Sequence, residues 1–98
     1  MNNTEIPAGW INYPSDDPNV KYDFWKHFPT PDGLEVDVRI VAVQNKYQIT
    51  SESASRSFVP MNESVIMEVT TLDEALAAAY QECKEWDDFV ANRLKKRS

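Results

Sequence analysis

The residues that could do chemistry in this chain are few and far apart. His27 is the single histidine and Cys83 the single cysteine. A histidine suits general acid–base work, but a catalytic imidazole needs a group that orients it. No neighbour of His27 in the sequence supplies one. Zinc sites want Cys and His at short set spacings, and one of each, far apart in the chain, makes none. Asp16 and Asp17 offer oxygens to a hard cation, but without the pattern of a calcium loop. Gly9 and Gly33 are the only glycines, so no glycine-rich phosphate cradle can form. The expectation is a protein that is not an enzyme, with no metal and no cofactor.

What remains is chemistry of recognition. Trp10, Tyr13 and Trp25 crowd the first part of the chain, and Trp and Tyr are enriched where interfaces concentrate their energy. The rival reading places these rings in the protein's own core. Glu82, Glu85 and Asp88 gather on one side of the C-terminal segment, which holds six acids between Asp73 and Asn92 against Lys84 alone. Such a row is an ordinary solvated face or a partner surface. Arg93, Lys95, Lys96 and Arg97 close the chain with four bases. They complement a helix dipole or contact phosphate.

These residues must be positioned by regular elements, and the clearest is a helix over residues 71–95. Thr71 is a natural N-cap and Glu74 stands three positions on, which makes a capping box. Apolar residues recur at Leu72, Leu76, Ala79, Cys83, Trp86, Val90 and Leu94, a stripe along one side of a helix. Ala75, Tyr80 and Phe89 widen it. Cys83 lies on that stripe, so a small core residue is its expected role. A helix of this length outruns a typical strand, and a projecting end carrying Phe89, Val90 and Leu94 would need a partner.

Upstream, residues 1–19 are punctuated by Pro7, Gly9, Pro14 and Pro18 and read as an irregular arm with a short edge strand at 10–13. A strand is expected over 21–28, with Tyr22, Phe24 and Phe28 on one side and Trp25 on the other. Thr30-Pro31-Asp32-Gly33 is a turn in which Gly33 takes the left-handed conformation. Residues 34–43 alternate as a strand, with Val41 and Val43 implying cover on both faces at its far end. Gln44-Asn45-Lys46 is a tight turn, 47–51 the next strand, and Thr50 to Ser57 a polar loop. Phe58-Val59 and then 64–70 complete the sheet. Strands followed by one helix predict an α+β fold: three to four antiparallel strands with the helix across one face. The 98 residues form one domain, with the arm at 1–19, the sheet at 20–70, the helix at 71–95 and a basic tail.

Composition sets the remaining bounds. The chain is 42% hydrophobic and 11% aromatic, which is globular rather than disordered. Net charge is −6, and the basic tail hides a body near −10, which repels nucleic acid and suits a basic partner. No run is long and apolar enough for a membrane span, and Met1-Asn2-Asn3-Thr4 does not begin a signal peptide. With a lone cysteine, a cytoplasmic protein is expected. Asn2 and Asn62 begin glycosylation sequons that carry no weight without secretion.

The leading expectation is therefore a small acidic protein-binding module, an adaptor or inhibitor. Its candidate contacts are Trp10, Tyr13, Trp25, Glu82, Glu85 and Asp88. A first alternative is a DNA mimic, of the kind a phage could encode, whose carboxylates occupy the groove of a nucleic-acid enzyme. A second is nucleic-acid binding through the basic tail with Arg39, Lys46 or Arg56. A homodimer through the end of the helix is a further arrangement that would bury Phe89 and Leu94.

Overall fold

The computed structural model describes the backbone of residues 6–54 and 62–97, and the side chains of 6–54 and 65–93. Five strands and one helix follow in order: β1 (Ile11–Asn12), β2 (Val20–His27), β3 (Glu35–Val43), β4 (Lys46–Ala54), β5 (Asn62–Val69) and α1 (Leu72–Arg97). The strands form one antiparallel sheet in the order β1-β2-β3-β4-β5. The fold is α+β as expected, with five strands rather than three or four. The fifth is the short edge at Ile11–Asn12, which pairs with Trp25 and Phe24.

Local chemistry explains the turns. The Gly33 N–H donates to the Thr30 carbonyl at 3.0 Å, and Gly33 sits at φ 67°. Pro31 fixes the first central position of that turn, and glycine carries no Cβ to oppose the left-handed one. Gln44 and Asn45 join β3 to β4, and Gln44 adopts φ 56° to do so. β4 runs on to Ala54, so residues 50–54 of the expected polar loop are strand, with Thr50 and Ser51 buried; residues 55–57 lie outside the described residues. Phe58 and Val59 lie outside the described residues. Val43 is exposed, so the far end of β3 is not covered on both faces.

Alternation sends Val36, Val38 and Ile40 of β3 to one face, where Phe24 and Ile49 stand beside them. Val38, Ile40 and Ile49 are fully buried. Burial of side chains of this size contributes about 1.5–3 kcal/mol each. The helix covers this face with Ala75, Ala79, Cys83 and Val90, whose small size lets α1 lie close to the sheet. Thr71 Oγ1 accepts from the Glu74 N–H at 3.2 Å, while Glu74 Oε1 accepts from the Thr71 N–H at 3.3 Å. That is the capping box, and it starts the helix where β5 ends. Arg93 approaches Asp32 in the turn before β3, so α1 runs back along the sheet in the direction opposite to β3. Twenty-six residues make a rod of about 39 Å. The long central strands, at about 30 Å, nearly match it.

Candidate functional site

Three places gather polar or aromatic side chains that are not simply core. The first lies beneath the arm. Trp10 is buried, set edge-on against Phe28 with ring centroids 5.9 Å apart. Its Nε1 donates to Asp87 Oδ1 at 3.2 Å, and Lys26 Nζ lies 2.8 Å from the same oxygen. Gly9 allows this: a Cβ there would stand 3.0 Å from Lys26 Cε. The structure thus places Trp10 in the core rather than on an accessible surface. A ring so deeply enclosed cannot reach a partner without unfolding the arm.

The second place is the sheet face that α1 leaves open. Tyr13 and Trp25 lie together here, their rings 5.8 Å apart, with Tyr13 exposed. Cross-strand register brings Asp23, Asp37 and Glu52 around Arg39. The guanidinium lies 3.3 Å from Asp23, 3.4 Å from Glu52 and 3.9 Å from Asp37. Three carboxylates surround one cation. Burial, then a hydrogen bond with Asp23 and its charge, push the Asp37 carboxyl up to about 7. Asp23 Oδ1 is buried and accepts from no ordinary donor, so a proton held on Asp37 answers both needs. This cluster was not foreseen, because only the β2–β3–β4 register unites its members. The same register gives His27 the carboxylate its local sequence lacked: Glu35 lies 3.4 Å from Nδ1, with both side chains half exposed. No described residue forms a hydrogen bond to His27 that would mark it as activating a nucleophile.

The third place is a shallow, open groove along α1, lined among the described residues by Glu82, Glu85, Trp86 and Phe89. Trp86 is half buried, and its Nε1 donates to Ser51 Oγ on β4 at 2.9 Å. Ser51 pairs with Ser64 of β5, so this flank of the helix faces the outer edge of the sheet. Phe89 stands edge-on to Trp86 at 5.5 Å and 87° and is 50% exposed. Burial raises the Glu82 carboxyl above its ordinary value, and Glu85 adds to the effect. None of the described ion pairs includes Glu82 or Glu85. The helix period therefore unites Glu82 and Glu85 with two aromatic rings. Asp88 is exposed but does not line the groove. Trp86 had been assigned wholly to the core stripe, and its exposed side is the part that pattern could not reveal.

Two other carboxylates of α1 are engaged within the fold. Asp87 holds Trp10 and Lys26, and Glu74 closes the capping box. Among the described residues, no group of three or more His, Cys, Asp or Glu side chains could hold a metal ion, and no helix is long and apolar enough to cross a membrane. No protein-family profile, curated protein or solved structure matches the chain.

Proposed function

We propose that this protein binds another protein, as an adaptor or inhibitor, through the face where α1 flanks β4 and β5. One observation carries the reading. Val65, Ile66 and Met67 on the outermost strand and Phe89 on the flanking helix are 42–55% exposed. Exposed apolar side chains gathered along one margin mark interaction sites. Met67, opposite Ile49, projects to the helix side and Val65, opposite Thr50, to the open side, so together they border the β5 edge. Among the described residues no strand pairs with the outer edge of β5, which leaves its side chains open to a partner. Exposed Tyr13 and half-buried Trp25 form a second, smaller aromatic pair on the open face of the sheet.

The DNA-mimic alternative draws less from the geometry. A phosphate-like row needs several free carboxylates, whereas Glu74 and Asp87 are held internally and Glu82 is half buried. Nucleic-acid binding through Arg39 fares similarly, since three acids already surround it.

The test compares proteins captured from cells by the wild type with those captured by a Met67→Ser/Phe89→Ser variant of equal stability. Selective loss of a captured protein supports the reading. An unchanged set, or displacement of the captured protein by duplex DNA with loss at high salt, removes it in favour of mimicry.

A further inference from the structure

We infer that the groove on α1 seats a lysine or arginine side chain of the partner, over Trp86 and between Glu82 and Glu85. The inference rests on the protein-binding reading and names the chemistry of the occupant.

Three observations lead to it. First, two aromatic rings and two acidic side chains line the groove together. A cation over an indole face gains from the ring quadrupole, and a nearby carboxylate adds a charge-assisted hydrogen bond. Second, both carboxylates lack a cationic partner among the described residues, although Glu82 is half buried. Glu82 is served by neutral donors alone, Ser51 and Trp86, and Glu85 accepts from Gln81 Nε2 at 3.2 Å, so an incoming cation adds the charge pairing that neither has. Third, β5 is not a clean template for an added strand. Ile49 pairs with Met67 but Thr50 pairs with Val65, so Ile66 is the extra residue of a bulge. A bulge interrupts the row of backbone donors and acceptors that strand addition uses. Recognition here must then come from side chains, and the charge of the partner's side chains decides it.

A second copy of this chain fits less well. The body near the groove is acidic, and two such faces repel. The basic tail is the one segment of a second copy with the right charge, and self-association is a separate outcome below.

The probes are three short labelled peptides in which valine alternates with lysine, threonine or glutamate. Binding is read by fluorescence anisotropy and by the three indole N–H signals in a nitrogen–proton NMR spectrum. The lysine peptide should bind, weaken with salt, and move the Trp86 indole signal while leaving that of buried Trp10 in place. Glu82→Gln with Glu85→Gln, which keeps side-chain shape, should weaken it about tenfold, as charge-assisted contacts of this kind do. If the threonine peptide binds as well as the lysine one, or the double variant binds unchanged, the cation-seating inference is overturned while the docking face stands. If none of the three binds and the Trp86 signal never moves, both fall. A concentration-dependent dimer in light scattering that hides Trp86 would replace the partner with a second copy and overturn the inference.

Discussion

Lys26 on β2 meets Asp87 on α1 at 2.8 Å, and this contact ties the helix to the margin of the sheet. The same carboxylate accepts from the Trp10 indole, so one acid holds three segments: the arm, β2 and α1. The Lys26 ammonium also lies 4.8 Å from the centroid of the Phe28 ring. Removing Asp87 leaves the sheltered Trp10 N–H without its acceptor and Lys26 Nζ with the Ala8 carbonyl alone, at 3.4 Å. Asp87→Ala should cost about 2–3 kcal/mol in urea unfolding, and Asp87→Asn, which still accepts, about 1 kcal/mol. A loss under about 0.5 kcal/mol for the alanine variant would mean that water replaces the carboxylate freely.

Cys83 is fully buried beneath α1, and burial pushes its thiol up to about 12. The thiolate is the reactive form, so the native thiol should be inert at neutral pH. Alkylation should proceed only through unfolding and should slow as a stabilising osmolyte is added. Rapid labelling of the native protein, at the rate of a free thiol, would contradict the packing of the helix stripe.

Much of this architecture is legible in the sequence, for identifiable reasons. The capping box at Thr71 and Glu74 is a local pattern, and it appears with both reciprocal bonds. Alternation in β3 and the turn at Gly33 are local too. The misses are non-local or ambiguous. Thr50 and Ser51 close the expected strand and also open the expected polar loop, and polar Glu52 and Ser53 resemble that loop, yet β3 and β5 enclose all four as strand. Glu35, Asp37 and Arg39 were legible as one face of β3. Asp23 and Glu52 join them only once the strand register is known. The groove was half legible: Glu82 and Glu85 stood out by charge, whereas Trp86 sits where the core stripe meets the surface and periodicity assigned it to one side.

The Arg39 cluster makes stability depend on pH in a stated direction. The folded-state value of Asp37, about 7, lies above its ordinary 3.8, so the native state holds this proton more tightly than the unfolded chain. The contribution is fully present below the unfolded value and is lost as pH rises through about 7. The wild type should therefore lose stability between about pH 4 and about pH 7 at this site. Asp37→Asn, permanently neutral and able to donate to Asp23, should flatten that decline and melt higher than the wild type on the alkaline side. Parallel melting-temperature profiles for the two proteins would rule out a proton on Asp37.

Phe89 and Val90 are neighbours with opposite duties, and they separate function from folding. Val90 is 4% exposed against the core, while Phe89 is 50% exposed beside Trp86. Val90→Ala removes buried methyl groups and should cost about 2 kcal/mol. Phe89→Ser removes half-solvated surface, a ring contact and the Arg93 guanidinium's neighbour at 5.9 Å, and should cost under about 1 kcal/mol. Partner capture should follow the reverse order, abolished by Phe89→Ser and retained by Val90→Ala below its melting point. If capture instead tracks stability in both variants, Phe89 is a structural residue with an exposed edge, and the docking face must be sought at Tyr13 and Trp25.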